Sequence, residues 1–291
     1  MAQDTCALRL AGPEDAPGIG VFLARHAATS MFLRSNIAAH GLAASEAPNA
    51  TEVFVQDVGG AVRGVIGLSN QGQVMAQMPD GISDLSVARN RWAGRVVLGM
   101  TGVVEQVSRV LNALGLAHVP TGLDRAEPLY DLDLACLAGP FEKLRATRPD
   151  ELQRLEVWFQ EYLRDIGFAM DDQSARVQAA ERAKRAVNGT AVRLLDDVHR
   201  TPVAMTTFIA EAGDTVKIGG VFVPRTARKK GYARHVVASH LAEARARGIK
   251  RAILSSASDA AGRAYEAIGF QRIGTYRIVL FKSPATIKGA T

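Results

Sequence analysis

Arg225, Arg228, Lys229, Lys230 and Arg234 crowd one short stretch of this chain, GGVFVPRTARKKGYARHVVASHL, with Gly231 among them. A strand-like run ends at Val223 and Pro224, and a helical pattern begins near Gly231. A helix N-terminus offers unpaired N–H groups and the positive end of a dipole, so it is a ready anion site. Glycine lets backbone approach an anion closely and takes conformations denied to other residues. Ala233 keeps the following turn narrow, and the basic side chains add charge around the same spot. The chemistry on offer is the holding of a phosphate or pyrophosphate. The Gly-Lys-Ser/Thr of a P-loop is absent, and two of the three glycines of a dinucleotide fingerprint are missing.

A second stretch, GRAYEAIGF from Gly262 to Phe270, presents Tyr265 on a short helical pattern closed by Gly269. The hexapeptide Arg228 to Ala233, RKKGYA, fits the pattern Arg or Gln, two residues, Gly, one residue, Gly or Ala. With these two motifs and the opening LRATRPDE from Leu144, the chain resembles the GNAT superfamily of acetyl-CoA-dependent N-acetyltransferases over residues 144 to 282. The resemblance implies that the backbone around Arg228, Lys229, Lys230, Gly231, Tyr232, Ala233 and Arg234 binds the CoA pyrophosphate. It implies that Val221, Phe222 and Val223 form the strand that pairs with the pantetheine arm, backbone to backbone. Tyr265 matches the tyrosine beside the CoA sulfur and is the candidate general acid for the thiolate. Ser258 stands where the family often has Asn, and its hydroxyl can still bond a pantetheine amide. The implied activity is direct transfer of an acetyl group from acetyl-CoA to a primary amine on a small molecule or peptide. The alternatives are a transferase of the same fold with another acyl donor, and a non-catalytic CoA-binding sensor module.

Amine acylation needs a neutral amine and a polarised thioester carbonyl, with both substrates held in attack geometry. No glutamate lies within Val216 to Val223. Glu211 and Asp214, at the preceding turn, could act through water; as turn residues they are better explained by solvation, so no general base is assigned. His199, His235 and His240 are isolated from any ligand-spaced partner, and no metal is expected. The run Ala179 to Arg185 is expected to be a solvated helix face. Two cysteines, Cys6 and Cys136, make no disulfide framework and suit a reducing, cytoplasmic setting. Hydrophobic residues at 47% and charged residues at 22% are the mix of a folded globular protein. The net charge of +6 is dispersed, and aromatics are 6%, which argues against a nucleic-acid partner. No apolar run long enough for a membrane span occurs, and MAQDTCALRL does not read as a signal peptide. A monomer or a homodimer fits equally.

The elements that must position these residues repeat. Leu8, Arg9 and Pro13 of LRLAGPED align with Leu144, Arg145 and Pro149 of LRATRPDE at an offset of 144 − 8 = 136. TEVFVQD from Thr51 aligns with TAVRLLDD from Thr190 at 190 − 51 = 139. Near-constant offsets point to duplication. The expected fold class is therefore α/β (α+β): two domains, 1–138 and 139–291, each a mixed, mostly antiparallel sheet flanked by helices. In the second half the patterns predict helices over Glu151 to Gly167 and Ser174 to Val187, the latter more exposed. Strands follow over Ala191 to Leu195, Pro202 to Ala210 and Val216 to Val223. After them come a helix from Gly231 to Arg247, a strand from Ala252 to Ser255, a helix from Ala260 to Ile268, and a final strand pair or long strand from Phe270 to Phe281. In the first half, the offset of 139 sets ARNRWAGR against ARKKGYAR, with Trp92 in place of Gly231; alternatively Arg95 to Met100 is a strand and the match is accidental. Either way the first half is expected to lack a working CoA site. Its expected role is to shape the acceptor pocket, with Met31 to Leu42 as a candidate lining and core packing as the blander explanation.

Overall fold

The computed structural model describes residues 8–81, 84–169 and 171–290, so Cys6 lies outside the described residues; Cys136 is a free, exposed thiol. The chain divides into two compact units, Met1–Ala126 with Thr275–Thr291, and Glu127–Gly274. The first unit contains β1 (Leu8–Leu10), α1 (Ala16–Arg25), α2 (Ala27–His40), β2 (Thr51–Val58), β3 (Ala61–Ser69) and β4 (Gln73–Gln77). It continues with α3 (Ser86–Arg91), β5 (Val96–Val103), α4 (Val104–Ala113) and the start of β6 (Thr121–Asp133). The second unit holds β7 (Leu144–Ala146), α5 (Leu152–Asp165), α6 (Asp172–Asn188), β8 (Val192–Asp196), β9 (Pro202–Ala212) and β10 (Thr215–Phe222). After these come α7 (Tyr232–Ala246), β11 (Arg251–Ser255), α8 (Asp259–Glu266) and the start of β12 (Gln271–Thr286), which passes into the first unit at Thr275. The expected mixed, mostly antiparallel sheets flanked by helices are present in both units, and the last element is one long strand.

Each sheet is completed by a strand from the other half of the sequence. The first unit's sheet runs β1-β2-β3-β4-β5-β12, with Tyr276 opposite Val103 and Leu280 opposite Gly99. The second unit's sheet runs β7-β8-β9-β10-β11-β6, with Asp133 opposite Arg251 and Leu129 opposite Ser255. The side chains follow the exchange: Val279 and Phe281 pack into the first unit's core, Tyr130 and Leu132 into the second's. The segment Leu137 to Glu142, where the repeats meet in sequence, follows β6 and lies inside the second unit.

The duplication is visible in an ion-paired anchor. Arg9 grips Asp15 through two bonds of 2.7 and 2.8 Å and reaches Asp57 at 3.1 Å. Arg145 grips Glu151 at 2.8 and 2.9 Å and reaches Asp196 at 2.6 Å. The acceptors stand 151 − 15 = 136 and 196 − 57 = 139 positions apart, the two offsets of the sequence repeat. In both copies the first carboxylate also accepts the N–H three residues before it, from Gly12 at 2.8 Å and Arg148 at 2.9 Å. The anchor thus ties the first strand, the following helix start and the end of the next strand, with the bidentate geometry for which arginine is suited.

In the second unit, α5 buries Leu155, Trp158, Phe159 and Leu163 at steps of three and four. The more exposed face expected on α6 holds only in part. Ala175, Ala179, Ala183 and Ala186 are buried, and Arg182 on the same stripe is partly buried, so the run Ala179 to Arg185 is not a solvated face. Alanines give no apolar bulk for a sequence pattern to register, yet they let two helices approach closely.

On the opposite face α7 packs Val236, Val237, His240, Leu241 and Ala244. His240 is 1% exposed, stacks on Phe208 at 3.7 Å, and neither ring nitrogen has a hydrogen-bond partner. Burial, reinforced by Arg193 and Arg247, lowers its pKa to about 3, so it is held neutral. The unfolded chain, with an ordinary histidine near 6.5, takes up a proton over a range where the folded chain does not. Stability therefore falls as pH drops from about 6.5 toward 3, at up to about 1.4 kcal/mol per pH unit. We expect His240→Phe, which keeps the stack and removes the nitrogens, to move the acid-unfolding midpoint to lower pH, measured by circular dichroism across a pH series.

Candidate active site

The site grows from one feature of the second sheet. β10 and β11 run parallel and are paired only at Thr215–Arg251, Val216–Ala252 and Lys217–Ile253. Beyond Lys217 they part. β10 stays attached to β9, across register shifts that bracket Gly219 and Gly220. Gly220 takes a left-handed φ of +58°, and its N–H donates to the Tyr162 hydroxyl of α5 at 3.1 Å. Val221, Phe222 and Val223 follow the bulge, and Phe222 packs on Trp158 at 5.7 Å. Their edge toward β11 is the unpaired one, so the stretch expected to meet a ligand by backbone is available to do so.

The chain then enters the basic turn. Lys229 has φ +64° and Gly231, at the N-cap of α7, has φ +81°. Left-handed residues in such a turn aim successive N–H groups into one concavity, a geometry that suits anions. Tyr232, Ala233 and Arg234 open α7, where N–H groups have no intrahelical acceptor. Arg228 is fastened from behind: its Nε donates to the Val223 carbonyl at 3.0 Å and its terminal nitrogen to Asp165 at 2.6 Å. Arg225 stands 4.0 Å from the same carboxylate. Arg228 therefore holds the turn to α5, while the backbone from Lys229 to Arg234 runs through the left-handed residues into the first turn of α7.

Tyr265, on α8, is 8% exposed and lies edge-on to Phe270 at 6.1 Å. Its hydroxyl makes no hydrogen bond among the described residues. Burial first, then Tyr162 and Glu127, push its pKa well above the ordinary tyrosine range, so it carries its proton at neutral pH. Tyr162 sits on α5, on the face opposite the core that α7 and α8 share with Tyr265. Ser258 caps α8: its Oγ accepts from the Ala261 N–H at 3.3 Å and its carbonyl accepts from the Ser256 hydroxyl at 2.8 Å.

Two charged groups at the gap escaped the sequence reading. Lys217, at the last paired position of β10, and Glu127, on β6, are each 4% exposed. Strand alternation sends both to the face opposite α7, since Val216, Ile218, Tyr130 and Leu132 fill the core under α7. Burial lowers the Lys217 pKa to about 8, and the neighbouring Glu127 offsets part of that shift. A lysine inside the apolar run TVKIGGVF was the available signal; Glu127 had none, because it lies in the other half of the sequence.

The remaining expected residues fall elsewhere. Glu211, near the end of β9, and Asp214, in the turn before β10, sit at the end opposite the gap, where Glu211 pairs with Arg247 at 3.4 Å and Asp214 accepts the Thr215 hydroxyl at 3.1 Å. His235 faces Glu142 at 3.6 Å. Trp92 does not occupy a helix start: it follows the C-terminal end of α3, fully buried, edge-on to Phe54 and donating to Glu52 at 2.7 Å. The strand reading of the following residues is the one the structure bears out, as β5 begins at Val96. Met31 and Leu33 of α2 are buried in the first unit. Among the described residues, no group of three or more His, Cys, Asp or Glu could hold a metal ion, and no helix is long and apolar enough to cross a membrane.

Gly220 is the tightest point of the bulge, since a Cβ there would lie 2.7 Å from Thr207 Oγ1 as well as forcing a left-handed side chain. Gly220→Ala should cost about 2–4 kcal/mol, read as a lowered thermal midpoint, whereas Gly274→Ala, with open space around it, should be nearly silent.

The model of the acetyltransferase (GNAT) family matches residues 145–270. Among solved structures, a Drosophila protein superposes with a TM-score of 0.61 at 12% identity, covering 94% of this chain and 98% of its own. A GCN5-related N-acetyltransferase from Sphaerobacter thermophilus gives 0.54 at 14% identity, with 98% of each chain covered. One from Kribbella flavida gives 0.51 at 15%, covering 76% of this chain and 87% of its own. At these identities the likeness is one of fold. No curated protein sequence matches the chain. The parted strands and the left-handed turn lie within residues 145–270, which form a domain of the acetyltransferase (GNAT) family.

Proposed function

We propose that the second unit is an acetyl-CoA-dependent N-acetyltransferase that moves an acetyl group directly to a primary amine. The observation that carries this reading is the parting of β10 and β11 beyond Lys217, followed by a left-handed turn at Lys229 and Gly231 that opens α7. The cradle of Lys229 to Arg234 binds the pyrophosphate of the donor. The free edge of Val221 to Val223 takes its pantetheine arm as an added strand. A backbone N–H of that edge polarises the thioester oxygen.

The amine nitrogen then forms its bond to the thioester carbon, and the carbon–sulfur bond breaks. The nitrogen gives up one proton, and the departing thiolate takes one from Tyr265. A raised pKa makes Tyr265 a reluctant donor to a thiolate in water. In the gap the thiolate is desolvated as well, so burial raises the proton affinity of both partners together. The Lys217–Glu127 pair is the charged pair at the gap, and with a pKa near 8 the lysine is the group there best tuned to take the proton leaving the amine.

Calorimetry of acetyl-CoA with the full chain and a Gly231→Trp variant tests the donor site, since a large side chain at φ +81° fills the cradle. Binding by the parent and none by the variant is expected. Tyr265→Phe should lower kcat with a panel of amines by roughly 100-fold or more while leaving acetyl-CoA affinity unchanged. Binding without turnover by the parent would instead identify a CoA-binding sensor module, and turnover restricted to longer acyl-CoAs a different donor.

A further inference from the structure

The partly buried arginines of the second unit have carboxylate partners, with one exception. Arg145 holds Glu151 and Asp196, Arg193 holds Glu243 at 2.8 Å, and Arg251 holds Asp131. Arg182 of α6 has none: among the described residues it makes neither an ion pair nor a hydrogen bond. It is not a surface side chain left to water. It lies on the helix stripe of Ala175, Ala179, Ala183 and Ala186, all buried, three positions from Ala179 and four from Ala186. Desolvation is strong enough to hold its pKa below the usual arginine value, against the opposing influence of Tyr162.

A guanidinium withdrawn from water without a counter-charge is costly, and removing the cost takes an anion rather than a neutral group. Its planar fork matches a carboxylate with two parallel bonds. The stripe on which it lies packs in one core cluster with Tyr162 of α5 and Phe222 of β10, and the Tyr162 hydroxyl accepts the Gly220 N–H at the bulge. Arg182 therefore sits on the α5–α6 side of the gap, across the sheet from α7. The nearest acidic group at the gap, Glu127, is engaged with Lys217.

Building on the acetyl-transfer reading above, we infer that Arg182 is the anion-recognition group of the acceptor side, and that the acceptor is a small amine that also carries a carboxylate. Arg182 fixes that carboxylate and so orients the amine toward the thioester; it takes no part in bond making.

The test uses the full chain with matched acceptors, free amino acids against their carboxamides, following release of the CoA thiol. The acids should exceed the amides in kcat/KM by roughly 10- to 100-fold, the worth of a charge-assisted pair. Arg182→Met should bring that ratio near one, and Arg182→Lys should fall between, with the acetyl-CoA Kd the same in all three proteins. Equal use of acids and amides by the parent overturns the inference and leaves the acetyl-transfer reading intact. A weakened acetyl-CoA Kd in Arg182→Met also overturns it, by placing the guanidinium on the donor. If no member of either set turns over, calorimetry of the same amino acids, with and without CoA, decides. Binding by the parent and not by Arg182→Met supports the inference, and equal binding or none overturns it. Failure of acetyl-CoA itself to bind the parent marks failure of the donor reading separately.

Discussion

Two parallel strands that are bonded at one end and parted at the other set the terms for everything else in the second unit. Parallel neighbours need a crossover element between them, and here it is α7. Because the crossover begins where β10 ends, the helix N-terminus opens at the parted end and not at the paired one. Backbone groups along the gap have no strand to meet, which makes them available to a ligand and costly to bury alone. The bulge at Gly219 and Gly220 turns β10 away from its neighbour, and Tyr162 takes up the N–H that the turn would otherwise orphan. The open strand edge and the helix start beside it are consequences of one missing stretch of pairing.

The gap also concentrates charge where solvent is scarce. Glu127 and Lys217 are each nearly inaccessible, and each makes the other tolerable. A pair of this kind contributes little net stability compared with well-packed apolar groups, and removing one partner exposes the full cost of the other.

Much of this was legible in the residues. The stripe of Leu155, Phe159 and Leu163 announced α5, the glycine of RKKGYA foreshadowed a left-handed backbone, and the repeat offsets of 136 and 139 reappear as two ion-paired anchors. What could not be read has physical causes. The alanine face of α6 is buried by proximity rather than by apolar bulk, so the pattern looked exposed. The similarity around Trp92 was accidental, because the fully buried indole follows a helix where Gly231 precedes one. Glu127 was invisible because an argument made within one repeat cannot see a strand supplied by the other.

That supplied strand ties the two copies to a shared history and a shared birth. As the polypeptide leaves the ribosome, the first copy emerges with β5 lacking its outer neighbour, and the neighbour, β12, is made only after the whole second copy. The nascent first unit therefore waits with an open, hydrogen-bonding sheet edge, a template for wrong partners until β12 has been made. Gene fission at the repeat junction would leave each product missing the strand that closes it. Simple cutting at the junction would undo both sheets, because each is completed by a strand from the other half of the sequence.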